Sequence, residues 1–245
     1  MRVAALYDIH GNLPALEAVL EDVRAAQVQR IVVGGDVVCG PMTRDVLDCL
    51  LGLDIPMDFI TGNAEVAVLS EMAGRNTGFP EQIRTVLLWE AGQLREFQSL
   101  LESWPKTMRM RTAAGDVLFC HATPRDENEI FTRRTPAAAV LPAFAQVDAP
   151  LVVCGHTHMQ FDRTIGSTRV VNAGSVGMPF CEPGAYWLLI GADVALRRTE
   201  YDLARAADRI RATAYPQAAE FAANNVLQPP SESDMLDRFS AAELK

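Results

Sequence analysis

Two short apolar runs bracket an amphipathic segment at the start of the chain, and this restricts the fold more than any other feature. Residues 3–7 read as a strand, Leu16, Val19, Leu20 and Val23 recur at helical spacing, and Ile31 to Val33 form a second apolar run. This is a strand, helix, strand unit, the building block of α/β architectures. Asn12 followed by Pro14 supplies the helix start, because Asn caps free backbone N–H groups and Pro suits a first turn.

The remaining periodicity predicts a helix over 44–51, a strand over 58–60 and one helical stretch over 80–103. Ile83, Val86, Leu87, Leu94 and Phe97 form the buried face of that stretch, with Trp89 also read as core. From residue 108 the pattern changes to strands at 108–112, 117–120, 151–154, 161–165, 169–172, 186–190 and 194–198. Gly115-Asp116, Gly166-Ser167 and Gly191-Ala192-Asp193 are hairpin turn signals, and residues 122–149 are an insertion with a helix near 136–146. Helices return over 202–214 and up to residue 225, before a Pro- and Ser-rich linker at 228–233 and a short terminal helix. The order predicts a sheet-rich core with helices on its outer faces. Residues 1–200 are expected to form one catalytic domain, and 201–245 a helical extension packed on or beside it.

The 245 residues carry 22 Lys plus Arg against 31 Asp plus Glu, a formal net charge of -9. That balance argues against a grip on long nucleic acid, which needs basic stripes, but leaves room for a small phosphorylated substrate held at a local positive site. The N-terminus turns polar too early for a signal peptide and no long apolar run follows, so a cytoplasmic protein without a membrane partner is expected. The 5 cysteines are scattered without a C-x-x-C pair, and Cys120 and Cys154 read as packing residues turned away from the chemistry.

The chemistry lies where strands end. The 4 histidines are His10, His121, His156 and His158, and each closely follows a predicted strand. Asp8-x-His10 and His156-x-His158 place ligand-type side chains two residues apart, which in extended backbone project to one side and can converge on one point. Asp36 follows the second strand and Asn63 the third. Strand C-termini are where open α/β sheets bind ligands. Two carboxylates, four imidazoles and a carboxamide suit a pair of divalent ions of intermediate softness, such as manganese, iron or zinc.

Asp8-x-His10, Gly35-Asp36, Gly62-Asn63, His121 and Gly155-His156-x-His158, in that order, resemble the calcineurin-like metallophosphoesterase superfamily, with the small YfcE-like bacterial and archaeal type the most similar. The resemblance covers residues 1 to about 200 and implies a four-layer αββα sandwich of two mixed sheets flanked by helices. It also implies two divalent ions, manganese first, with iron, zinc or nickel as alternatives. Asp8, His10 and His158 would hold one ion and Asn63, His121 and His156 the other, with Asp36 bridging and a bridging hydroxide attacking phosphorus. Asp36, Asn63, His121 and His156 would thus be catalytic.

Three further residues are candidate substrate contacts. They are Asn12, at the helix start after Gly11; Arg125, in the insertion with Arg133 and Arg134; and Glu65. A solvated charged loop is the preferred reading of the three arginines. Asn172-Ala-Gly-Ser175 matches a family loop and is read as structural. Two departures matter: Ala64 stands where many relatives carry a histidine that protonates the leaving group, and no arginine follows Asp36, unlike the protein serine/threonine phosphatases. Glu65 is the candidate substitute acid. A phosphodiesterase acting on a small or cyclic nucleotide-like diester is therefore expected. The alternatives are a phosphomonoesterase on a small metabolite and a non-catalytic scaffold of the same fold, as in retromer-subunit relatives. The oligomeric state is left open, a homodimer being one option.

Overall fold

A computed structural model describes residues 1–75 and 77–244. The opening unit forms as read: β1 (Val3–Leu6) and β2 (Arg30–Val33) pair in parallel, joined by α1 (Leu13–Ala25). β3 (Met57–Phe59) adds in parallel beyond β2, after α2 (Thr43–Leu51). A late hairpin, β9 (Ala185–Ile190) and β10 (Val194–Thr199), pairs antiparallel on the other side of β1 and completes the order β10-β9-β1-β2-β3.

The second sheet contains β4 (Thr107–Thr112), β5 (Gly115–Cys120), β6 (Leu151–Cys154), β7 (Phe161–Ile165) and β8 (Thr168–Asn172) in the order β4-β5-β6-β8-β7. β5, β6 and β8 run parallel, with β4 and β7 as antiparallel edges.

Alternation along the strands builds the layers. Val3, Ala5 and Tyr7 meet Val117, Phe119, Leu151 and Val153 between the sheets, whereas Ala4 and Leu6 face Leu16, Val19 and Leu20 of α1 and Leu47 of α2. On the far side, Leu118, Cys120, Val152 and Cys154 pack on Val140 and Phe144 of α6 (Ala137–Phe144). The result is helix, sheet, sheet, helix, and central strands buried on both faces explain the continuous apolar runs at 3–7 and 151–154. Cys120 and Cys154 belong to the outer core, as read. The hydroxyl of Tyr7 crosses the sandwich and donates to the Val153 carbonyl at 3.1 Å.

Three local expectations are corrected. α3 (Asn63–Met72) is a helix that the apolar periodicity did not reveal, because its buried set includes Glu65 and Glu71 as well as Ala64 and Val68. The single stretch over 80–103 is α4 (Glu81–Gln93), a 3₁₀ turn at Arg95–Phe97 and α5 (Gln98–Glu102). Ile83 points outward at 47% exposure, because apolar residues ring α4 and its neighbours select the face that is buried. The β4–β5 turn is Ala113-Ala114, with Gly115 already paired to Thr112.

The C-terminal helices are α7 (Leu203–Arg211), α8 (Ala218–Phe221) running into a π-helical turn at Ala222–Leu227, and α9 (Glu232–Phe239). The first three enclose Ile210, Phe221 and Val226 against Val86 of α4. α9, capped by Ser231, is held by Arg133 to Glu232 at 2.8 Å and Arg134 to Asp237 at 2.7 Å, so those two arginines serve packing of the chain on itself. No helix among the described residues is long and apolar enough to cross a membrane.

Tyr7→Phe should keep the fold and lose about 1 kcal/mol of stability, because one inter-sheet hydrogen bond is removed from a buried carbonyl. Urea unfolding with an unchanged slope checks this.

Candidate metal centre

β1, β2, β3, β5 and β6 all end on the same edge of the sandwich, and the residues that follow them converge there. Asp8 and His10 follow β1, Asp36 follows β2, Asn63 opens α3 just after β3, His121 follows β5, and His156 and His158 follow β6. Two groups result: Asp8 with His10 and His158, and Asp36 with His121 and His156, each with ligand atoms within 4.8 Å of one another. Asn63 joins the second group through its Oδ1, 2.9 Å from His121 Nε2.

The convergence is not the work of extended backbone. Asp8, His10, Asp36, His156 and His158 all adopt positive φ, between 45° and 68°. Left-handed residues turn the chain sharply, so i and i+2 need not point together. His156 and His158 accordingly enter different groups, the division that the resemblance implied, so the i, i+2 convergence that extended backbone allows does not apply to this pair. Such backbone is costly and requires support.

That support comes from buried polar groups. Glu65, fully buried, accepts N–H bonds from Asp36 at 2.9 Å, Val37 at 2.8 Å, Val38 at 3.2 Å and Gly62 at 2.7 Å. Glu90 on α4 extends the same cradle by accepting from Gly40 N–H at 2.7 Å and the Thr43 hydroxyl at 3.0 Å. Burial pushes both acids up to about 7, with the Asp36 charge adding to the effect on Glu65. Ser175 Oγ donates to the Asp8 carbonyl at 2.7 Å, and Asn172 Nδ2 donates to the Gly155 carbonyl at 2.6 Å, so the 172–175 loop is structural as read. Gly62 must lack a side chain, since a Cβ there would overlap Asp36 Oδ1.

The candidate substrate contacts therefore change. Glu65 faces the backbone of residues 36–38, with both oxygens engaged, and is a strut for the Asp36 loop instead of a substitute acid. Asn12 is fully buried: its Oδ1 caps α1 by accepting from Ala15 N–H at 3.2 Å and its Nδ2 donates to the Gly177 carbonyl at 2.9 Å. The amides of Gly11 and Asn12 are also spent, on the Val37 and Ile9 carbonyls. Arg125 pairs with Glu129 at 2.5 Å and lines a separate surface cavity of about 580 Å³ that none of the seven clustered residues borders. Glu90 was not singled out from sequence, although a Glu three residues from Leu87 and four from Leu94, on an apolar helical face, was the available signal.

Ring orientation and charge make the groups fit for cations. His10, His121 and His158 each direct Nδ1 at a backbone carbonyl, of Val38 at 3.1 Å, Gly34 at 2.9 Å and Met178 at 2.6 Å. With Nδ1 engaged at a carbonyl, Nε2 of each ring is left facing the site. His10 Nε2 and His158 Nε2 lie 3.3 Å apart, with Asp8 Oδ1 3.4 Å from His158 Nε2. Asp8 Oδ1 is buried without any hydrogen-bond partner, while Oδ2 is anchored by His156 N–H at 2.9 Å. Asp36 spans both groups, with Oδ1 3.4 Å from His121 Nε2 and Oδ2 3.7 Å from His10 Nε2.

Burial opposes ionisation of Asp36, but His121 and His10 outweigh it and hold the carboxyl well below its usual range. Burial likewise opposes the His121 proton, yet Asp36 and Asp8 push that imidazole up to about 10, whereas burial and His121 drive His156 down to about 4.

Residues 1–192 match the calcineurin-like phosphoesterase superfamily domain, and the chain belongs to that superfamily. The family expected from the five ordered motifs is thus the family found. An uncharacterized protein of Methanocaldococcus jannaschii is 26% identical over 243 residues, 88% of this chain and 94% of that one. The crystal structure of a metallophosphoesterase from Sphaerobacter thermophilus has a TM-score of 0.71 at 27% identity, covering 92% of this chain and 99% of that one. The fold is also that of a hypothetical protein from Pyrococcus horikoshii OT3, with a TM-score of 0.78, 21% identity and 90% and 97% coverage.

Glu65→Ala should destabilise the protein by roughly 3 kcal/mol or more, because several buried amides lose their only acceptor at about 1–3 kcal/mol each. Equilibrium unfolding of the metal-free protein measures it.

Proposed function

We propose that the protein is a metal-dependent phosphodiesterase that hydrolyses a small or cyclic nucleotide-like phosphodiester. The observation that carries this reading is Asp36, whose two oxygens face two adjacent ligand groups. Asp8, His10 and His158 would hold one divalent ion, Asn63, His121 and His156 the other, and Asp36 both. Manganese, the metal that the family resemblance implies first, is the proposed ion, and the two carboxylates and the Asn63 carbonyl are oxygen ligands of the kind it takes. When bound, such a pair supplies Lewis acidity toward a phosphoryl oxygen and an acidified water as nucleophile.

The chain's own residues set the frame for that chemistry. Nδ1 contacts with backbone carbonyls fix the orientation of three imidazoles, Glu65 and Glu90 hold the Asp36 loop, and the Ala64 N–H pins Asp36 Oδ1 at 2.8 Å. Loading two divalent ions against two aspartates leaves a positive site, which favours a phosphoryl anion in a protein whose overall charge is -9. The diester preference rests on Ala64: without a histidine to protonate the leaving group there, acid assistance commonly worth about 10²–10⁴-fold is missing, which narrows the substrates toward better leaving groups.

Metal analysis of the purified protein, with turnover of matched aryl monoesters and diesters under manganese, tests the reading. Two ions per chain and faster diester cleavage are expected; faster monoester cleavage points to the phosphomonoesterase, and a metal-loaded but inert protein to the scaffold. Asp36→Ala should release both ions and lower kcat/KM by roughly 10³-fold or more, the equivalent of several kcal/mol of charge stabilisation.

Proton release gives an independent check. His121 in the metal-free protein carries a proton at neutral pH because its pKa lies near 10, and a ligand imidazole must be neutral. Binding near pH 7 should therefore release a proton from His121, measured by calorimetry in buffers of different ionisation enthalpy. The release should fade as the pH is raised through 10.

A further inference from the structure

Within the 1–192 span that matches the superfamily, residues 178–180 lie against one imidazole of the candidate centre, and the C-terminal segment past that span packs on them. His158 is contacted three times by residues 178–180. The Met178 carbonyl accepts from Nδ1 at 2.6 Å, Phe180 N–H donates to the His158 carbonyl at 3.3 Å, and the Phe180 ring stacks on the imidazole at 4.6 Å between centroids and 22° between planes. Neither Met178 nor Phe180 is supported by the sandwich alone. Met178 packs into the cluster made by α7, α8 and the π-helical turn, and Phe180 into a small cluster of Met159, Met235 and Leu236, with Phe239 at 6.0 Å.

α9 is in turn secured to the insertion that follows His121. Arg133 and Arg134 pair with Glu232 and Asp237, Thr135 donates to Glu243, and Leu244 N–H bonds the Ile130 carbonyl at 2.9 Å. The segment therefore spans the rim from the loop after β5 to the loop after β6, and its apolar side supports the ring that lies on His158.

We infer that α9, acting through Phe180, is a positioning device for His158 and sets the affinity of the Asp8–His10–His158 group for its ion. The inference rests on the proposed two-metal reading. The physical basis is ring orientation. His158 Nε2 is held 3.3 Å from His10 Nε2 and 3.4 Å from Asp8 Oδ1, an arrangement that can close on one ion only while the ring is prevented from turning away. The Met178 carbonyl sets the tautomer, and the Phe180 face blocks rotation about the ring's own axis. Residues that orient a metal-binding imidazole typically govern metal affinity by about 10–100-fold.

The test is manganese binding to full-length Phe239→Ala, Phe180→Ala and Phe180→Tyr, followed by calorimetry, with circular dichroism melting to establish that each is folded. Phe239→Ala removes support without touching His158 and serves if Phe180→Ala does not fold. The expected result is two ions on the wild type, one of them weakened tenfold or more in both alanine variants while the other is unchanged, and recovery in Phe180→Tyr, which keeps the stacked ring. His158→Ala should weaken the same ion, and Phe180→Ala added to it should cost nothing further, because the two act on one group. Wild-type affinities for both ions in a folded Phe239→Ala, or equal weakening of both, overturn the inference while leaving the two-metal reading intact. A wild type that binds no manganese overturns that reading and the inference with it.

Discussion

Everything at the centre depends on a backbone constraint: chains leaving parallel strand ends must turn inward within one or two residues. Asp8, His10, Asp36, His156 and His158 achieve this in left-handed conformations that cost energy for non-glycine residues. The cost is offset by groups that only a buried setting makes strong. Glu65 gathers four amides on either side of the β2–β3 seam, Glu90 adds another, and Ser175 reaches the Asp8 carbonyl from the far end of the second sheet. These acids are consumed in shaping loops. Their distance from direct chemistry follows from their saturation.

Charge explains why the loops are held so firmly. The centre brings His10 Nε2, His158 Nε2 and Asp8 Oδ1 together in a low-dielectric space, an arrangement that a cation there would stabilise. The perturbed groups divide accordingly, with His121 raised to share a proton with Asp36 and His156 lowered beside it. Opposed shifts among adjacent buried groups at a strand edge are a pattern found at functional sites.

Much of this was legible beforehand for a definite reason. The strand ends, the seven polar residues and the strand, helix, strand opening are local properties, and period-2 and period-3.6 patterns report them directly. The Asn12 cap and the structural role of 172–175 were also local. What failed was whatever depended on a distant partner. Glu65 reads as a substitute acid because it adjoins Ala64, whereas three of the four amides it accepts from are 27 to 29 residues away. Arg133 and Arg134 meet acids about a hundred residues further on, and α3 was hidden because two of its buried positions are glutamates whose partners lie elsewhere.

The sequence by itself determined the class of fold, the set of metal-type ligands and the family, since each is written in ordered motifs and apolar period. The resemblance already implied how those ligands would be shared, and tertiary structure alone decided the backbone that does it. His156 and His158, two residues apart, serve different groups because a left-handed turn separates them, and Asp36 joins the groups because two sheets bring β2 and β5 to one edge. It also decided that the C-terminal helices reach His158 through Phe180. Such assignments are sums of contacts between remote segments, and no local pattern encodes a sum that closes only when the whole chain is packed.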